Sequence, residues 1–507
     1  MGATTTATLI RNARVLTMDD RDTELPRADI LVRGRLIAAV GPDLAAARDE
    51  PDLRVIDARG LLAMPGLVNG HVHSPGNFMR GALDTLPLEL FMLYEVPPLA
   101  ERASPPRLHY IRTLLGAIEM LKLGVTAAHD DAFFVPGPTP ETIDGLVQAY
   151  ADSGMRAAVA LDQPNVVEYE KYPFLRELLP DPLRRRMDAA PRPSAKELLD
   201  LYGHLIERWH GAGDGRLAAA VSCSAPQRVA VDYLEALGEL SRRRDLPFNL
   251  HMLETKLQRV LGEEKYAKSL VRYVADLDGL DERMLVIHAV WVDQTDIELM
   301  AQAGLSVAHS PVGNLKLGSG IMPFRRLREA GINICLGSDE ATVDDTHNMW
   351  GVAKMAGLVH TITDPEYERW PRAAEILRAL VRGGARALRL EGRVGVIAAG
   401  YEADLILIDL DTLAFTPLND LRRQLVFCEN GSSVVLTMVA GRVVVERGRV
   451  LTVDEEAVKA EARELAQQSG GETAAAAREL MPYYRAMYLA AARRDVGLNR
   501  WAGPMAP

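Results

Sequence analysis

Apolar runs of strand length recur through the middle of the chain and alternate with longer stretches of helical periodicity. The strand candidates are Leu67 to His71, Val125 to His129, Ala157 to Leu161, Ala219 to Cys223, Phe248 to His251, Leu285 to His288, Ser306 to Ala308 and Ile332 to Leu336. Arg107 to Leu121, Val231 to Arg242, Thr295 to Ala303 and Ala374 to Leu390 are helical segments among them. Eight strands with crossover helices suffice to close a (β/α)8 TIM barrel, an α/β fold. An open doubly wound sheet fits the same alternation. No GxGxxG follows an early strand, which argues against the dinucleotide-binding version.

The two ends read differently. Leu9 to Thr17, Ile30 to Val32, Leu36 to Val40 and Val55 to Asp57 are short β runs punctuated by glycine, and Asp404 to Asp409, Ser433 to Val439 and Arg442 to Glu446 repeat that texture. The expected organisation is a small β-sandwich-like domain from residues 1–62 plus 393–453, a catalytic barrel over 63–392, and a helical extension over 454–507. In that extension, Asp454 to Gln468 is an amphipathic helix. A Ser469-Gly470-Gly471 break separates it from a second helix, Ala474 to Arg493, with Met481, Tyr484, Met487 and Tyr488 on its apolar side. Such a side packs on the protein's own surface or on a partner subunit.

Composition narrows the class. The chain has 507 residues, 48% hydrophobic and 25% charged, with 58 Lys and Arg against 69 Asp and Glu. The net charge of -11 and the lack of a basic block argue against a nucleic-acid partner. Cys223, Cys335 and Cys428 form no CxxC pair and read as buried free thiols in a reducing compartment. The start, Met1-Gly2-Ala3, lacks the regions of a secretory signal, so a cytoplasmic location is expected. As a myristoylation signal, Met-Gly is a weak match. No uncharged stretch approaches the roughly 20 apolar residues that span a bilayer.

The chemistry gathers at strand ends. Leu67-Val68-Asn69-Gly70-His71-Val72-His73 runs an apolar strand into two histidines one residue apart, which puts both imidazoles on one side. Phe248-Asn249-Leu250-His251 and Leu285-Val286-Ile287-His288 also end in histidine, and Ile334 to Asp339 ends in a carboxylate. Polar groups at the ends of buried strands converge where barrel active sites lie. His71, His73, His251 and Asp339 form a borderline-soft ligand set for one divalent metal, with Zn2+ favoured and Fe2+, manganese or nickel open. Such an ion acidifies water and polarises the attacked carbon. Asp339 can bind through one oxygen and orient or deprotonate the water with the other. Glu254, three positions past a ligand, is the expected proton donor to the ring nitrogen or leaving group, and His288 the water-positioning residue or a further ligand. The fourth strand offers no lysine to bridge a second ion, which favours a single metal. His129, His309, Asn314 and Glu340 are candidate substrate contacts, with local capping or second-layer hydrogen bonding as the alternative for His129 and His309.

These residues, in this order, resemble the amidohydrolase superfamily, in its cytosine deaminase-like and triazine hydrolase branch. The likeness rests on Met64 to His73, His251-Met252-Leu253-Glu254-Thr255, Val286-Ile287-His288-Ala289, Ser310 to Leu317 and Gly337-Ser338-Asp339, and continues through Ala403 to Asp409 and Val439 to Val444. The resemblance implies metal roles for His71, His73, His251 and Asp339, a proton shuttle at Glu254 and a catalytic role for His288. It also implies a shared terminal β domain, a homodimer or higher homo-oligomer, and hydrolytic removal of an amino, alkylamino or halide group from an N-heterocycle. Glu340 stands where a small residue is common, and Gly313 where serine is common. Asp344 and Asp345 follow in the same loop and either recognise amino groups or order the loop. The expected function is metal-dependent aminohydrolysis of a small heteroaromatic or nucleobase-like compound. Amide or arylurea hydrolysis, triazine dechlorination and a noncatalytic metal-stabilised assembly role are the alternatives.

Overall fold

The computed structural model describes residues 7–44, 52–100, 103–468 and 472–501. The first six residues and the Ser469-Gly470-Gly471 break lie outside them.

The strands of the two chain ends share one nine-stranded sheet. Ala7–Leu16 pairs antiparallel with Glu24–Arg33 and parallel with Arg54–Asp57 and Leu61–Pro65. Leu405–Asp409 then joins Leu61–Pro65 antiparallel and is followed outward by Val434–Val439, Arg442–Glu446 and Arg449–Val450. Strand alternation explains how this sheet holds to the rest: Ala63, Leu405 and Leu407 face a core of their own, whereas Leu62, Met64, Ile406 and Ile408 face the main core.

The middle of the chain forms two parallel sheets. Leu67–Val72, Val125–Phe133, Arg156–Asp162 and Leu217–Ala219 make the first, and Val221–Ser222, Phe248–Met252, Met284–His288, Ser306–His309 and Asn333–Leu336 the second. The expected single strand from Ala219 to Cys223 is therefore divided. Ala220 turns one segment from the first sheet to the second: its N–H donates to Val159 O at 2.8 Å, and that of Val221 to Pro247 O at 2.8 Å. At the opposite edges, Asp339 N–H donates to His71 O at 3.0 Å, and Val72 bridges Asp339 in parallel. Small and branched residues from one face of nearly every strand, including Val68, Ala127, Ala158, Leu285, Ala308 and Cys335, meet in a single cluster.

The helix expected over Ala374 to Leu390 runs unbroken from Ala373 to Ala387, with a wider, π-helical turn at Ala379–Gly383. Close contact accompanies the wider turn. A Cβ on Gly383 would lie 2.1 Å from Ile334 O and one on Gly384 2.6 Å from Val68 Cβ, so this turn presses directly on two strands.

The C-terminal helices pack on their own chain. Glu455–Gln468 buries Val458 and Ala462 against Pro106–Lys122, and Glu472–Ala492 buries Leu480, Tyr484 and Met487 among Leu93, Tyr172 and Leu257. The apolar side expected on the second helix is thus used within the molecule. Beyond it, Arg500 donates to Val290 O and Val292 O, and Trp501 to Gly318 O. Among the described residues, no helix is long and apolar enough to cross a membrane.

One buried ion cluster ties the parallel strands to the terminal sheet. Arg156, 2% exposed, donates to Asp404 at 2.8 and 3.0 Å and to Glu402 at 2.6 Å. Removing one partner of a buried pair leaves uncompensated charge, so Arg156→Met is expected to destabilise the fold by about 3–5 kcal/mol. A urea midpoint unchanged from wild type would contradict this. The solvent-facing Arg54–Glu446 pair should contribute little when cut in the same way.

Candidate metal centre and cavity

The HxH pair lies at the end of Leu67–Val72, buried, with both Nε2 atoms directed at one carboxylate. His71 Nε2 stands 3.6 Å and His73 Nε2 3.7 Å from Asp339 Oδ1, and His73 Nε2 is 3.2 Å from His251 Nε2. Ligand atoms about 2.0–2.1 Å from a tetrahedral ion are separated by about 3.4 Å, so these spacings fit one divalent cation. His71 Nε2 is buried without a hydrogen-bond partner, as a ligand atom directed at an ion would be. His71 belongs to two overlapping groups of potential ligands, one with His73 and Asp339, the other with His251 and His288.

Surrounding acceptors orient the rings. His73 Nδ1 meets Asp131 O at 2.5 Å, His251 Nδ1 meets Ser224 O at 2.8 Å, and His288 Nδ1 meets Asn314 Oδ1 at 2.9 Å. Carbonyl oxygens only accept, so each Nδ1 carries the proton and each Nε2 keeps its lone pair for the centre. The carboxylate is set by its own loop: Asn69 Nδ2 donates to Ser338 Oγ at 2.7 Å, and Ser338 N–H returns to Asn69 Oδ1 at 3.1 Å. Asp339 itself has φ 62°, a left-handed conformation that turns the chain at the strand end.

Burial keeps most of these imidazoles neutral. It lowers His71, beside His73, to about 3, His288 to about 4 and His251 well below its ordinary value. Burial acts the same way on His73, but Asp339, Asp131, Glu340 and Asp162 outweigh it and raise that ring to about 9. A cation at the point of convergence opposes that proton. Burial disfavours ionised Asp339, yet the adjacent His71 and then the His288 and His73 rings hold its carboxyl below the usual range. Glu254 is pushed the other way, to about 8, by burial and then by the charge of Asp339. Both influences favour its protonated form, with Oε2 3.6 Å from His288 Nε2 and Oε1 3.5 Å from Ser319 Oγ.

These groups line a cavity of about 410 Å³. His73, His251, Glu254, His288 and Asp339 supply its polar part, and Leu88, Met92, Phe133, Phe134 and Val343 its apolar walls. Glu340 also lines it, with burial raising its carboxyl to about 7. The other candidate substrate contacts are placed differently. His309 sits behind the cavity wall, its Nε2 3.1 Å from that of His360, and does not line the cavity; nor does His129, buried deep in its strand. Asn314 reaches the centre through His288 rather than through the cavity. Asp345 orders its loop, accepting from Gly81 N–H at 2.8 Å and pairing with Lys316.

The structure adds groups the strand-end pattern did not name. Val125–Phe133 runs four residues past His129, so Asp131 and Phe133 follow it on the same inward face. Asp131 and Asp162, both buried, lie within ligand distance of His73. Arg228 also lines the cavity. The signal for Asp131 was present as Ala127-His129-Asp131-Phe133 at period two.

Residues 62–444 match the Amidohydrolase family. The chain is 30% identical over 458 residues to the 5-methylthioadenosine/S-adenosylhomocysteine deaminase of Pelotomaculum thermopropionicum, covering 90% of this chain and 98% of that protein. It is also 30% identical over 460 residues to the 5'-deoxyadenosine deaminase of Methanosarcina acetivorans, covering 91% and 98%. Among solved structures, the zinc complex of atrazine chlorohydrolase from Arthrobacter aurescens superimposes with a TM-score of 0.79 at 26% identity, covering 90% of this chain and all of that one. The zinc-bound adenosine deaminase of Xanthomonas campestris gives 0.79 at 27% identity, covering 91% and 98%. The chain therefore belongs to the amidohydrolase family and is a metal-dependent hydrolase acting on a small C–N substrate.

Proposed function

We propose that the protein is a mononuclear zinc aminohydrolase of heteroaromatic, nucleoside-like compounds. His71, His73, His251 and Asp339 hold the ion, and Glu254 and His288 act on substrate and water. The observation that carries this reading is the buried carboxyl of Glu254 in the same cavity as a convergent ligand set. The deaminase names of two relatives at 30% identity support it, as do the zinc-bound structural neighbours. For the architecture we infer a closed (β/α)8 barrel over residues 63–392, with 1–62 plus 393–453 as the β domain and 454–507 as an extension. The shared inward cluster and the Asp339–His71 backbone hydrogen bond support closure.

A zinc ion at this centre supplies Lewis acidity, making water a better nucleophile and the attacked carbon more electrophilic. The chain's own residues move the protons. His288, its Nδ1 committed to Asn314, presents the Nε2 lone pair to a hydrogen of the attacking water. Asp339 Oδ2, 4.0 Å from that Nε2, takes the proton the water releases. Glu254 protonates the ring nitrogen next to the attacked carbon, which draws electrons from the C=N bond as the C–O bond forms. The proton on Asp339 then passes to the amino nitrogen, the C–N bond breaks and ammonia leaves, while the proton remaining on the new hydroxyl returns to Glu254, so that a ring carbonyl stands where the amino group was.

Incubating the zinc-loaded protein with 5'-deoxyadenosine and 5'-methylthioadenosine tests this. The expected result is one ammonia per product, in which oxygen replaces the amino group. Failure to release ammonia from any amino-heterocycle, with chloride or a larger amine released from a triazine or amide instead, would overturn it.

A further inference from the structure

Among the described residues, three arginines are buried: Arg156, Arg228 and Arg259. Two of them are paired. Arg156 holds Glu402 and Asp404, and Arg259 holds Asp293 and Asp296 at 2.9 Å each. Arg228, 8% exposed, is the exception. Among the described residues its guanidinium makes one hydrogen bond, from Nη1 to Ser224 Oγ at 3.2 Å, and no carboxylate oxygen lies within 4.0 Å of it. A buried cation is costly unless something compensates it. Here Tyr172, Asp162, Glu254 and Glu168 act on it from further away, balancing charge without occupying its N–H groups.

The position of Arg228 gives those free donors a use. It ends the short turn Pro226–Arg228 and opens on the same cavity as His251 and Glu254. Its partner Ser224 is the residue whose carbonyl oxygen holds the His251 ring, so the guanidinium belongs to the loop that positions a ligand of the centre. A guanidinium presents a planar fork of donors matched to an oxyanion, and such charge-assisted bonds are the stronger ones. Lys171, which also lines the cavity, is already paired with Glu168 at 2.6 Å.

We propose that Arg228 determines specificity by binding a carboxylate carried by the substrate, so that the preferred substrate is an anionic amino-heterocycle rather than a neutral one. This rests on the aminohydrolase reading above. The carboxylate completes the missing pair, and its fixed distance from the centre orients the ring amine toward Glu254 and His288.

The test uses the zinc-loaded protein, two matched nucleosides and a simple anion. Adenosine-5'-carboxylate is expected to exceed 5'-deoxyadenosine in kcat/KM by about 10- to 100-fold, mainly through KM. Arg228→Met is expected to abolish that ratio while leaving zinc content unchanged, and Arg228→Lys to retain part of it. A purely structural role would instead lower both substrates alike, and that result overturns the proposal, as does equal use of the two nucleosides by wild type. Calorimetric titration with benzoate separates this from failure of the aminohydrolase reading. If neither nucleoside turns over, that reading fails, and benzoate binding lost in Arg228→Met upholds the anion site. Benzoate binding that is absent from wild type, or unchanged in the Met variant, overturns it.

Discussion

Glu254→Gln is expected to lower kcat by about 10²- to 10⁴-fold with little change in KM, zinc content or thermal midpoint. The substitution preserves the shape of the side chain and its capacity to meet Ser319 Oγ, now 3.5 Å from Oε1. What it removes is a transferable proton. Burial and the neighbouring Asp339 favour that proton on the carboxyl, whereas an amide cannot deliver one to a ring nitrogen. Because the proton moves only as the ring accepts electrons, the loss falls on the transition state rather than on ground-state binding. Turnover of the Gln variant within tenfold of wild type would sink the assignment of Glu254 as the acid.

The centre was legible because its residues sit at the ends of apolar strands, where a period of two decides which side chains face inward. His71-Val72-His73 and the terminal His251, His288 and Asp339 carry that signal locally, and the structure brings all five together. The roles of His309 and His129 were not legible for the same reason. A strand end facing the cavity and one facing a neighbouring element read alike, and His360, which meets His309, lies 51 residues further on. Asp131 was missed because the second strand continues past its first polar residue, a length set by pairing with Arg156–Asp162 rather than by apolar content. Likewise, the wider turn at Ala379–Gly383 sits where Gly383 and Gly384 press on strands, a tertiary contact that helical periodicity does not register. Arg228 illustrates a deeper limit. Its significance lies in having no carboxylate beside it, which only the folded arrangement reveals.

Asp339→Asn is expected to weaken zinc binding by at least about 100-fold and to abolish measurable turnover. Losing a hydrogen-bond partner of a ligand already costs 10- to 100-fold in metal affinity, and here the ligand itself is weakened. Asparagine keeps the volume and one carbonyl oxygen near His71 and His73, but removes the negative charge that offsets the ion and the oxygen that receives the water's proton. The backbone should tolerate the change, since asparagine accepts the left-handed φ of 62° and the bond from residue 339 N–H to His71 O does not involve the side chain. Melting curves separate the two effects. In chelator the variant and wild type should unfold at similar temperatures, whereas excess zinc should raise the wild type by far the larger margin, because an ion bound only to the folded state stabilises it in proportion to the logarithm of one plus the ratio of its free concentration to Kd. Equal zinc-induced shifts in the two proteins would remove Asp339 from the ligand set and leave the ion to the histidines. A variant that melts early even in chelator would instead mark Asp339 as a structural residue, whose carboxylate serves the Asn69–Ser338 loop rather than the metal.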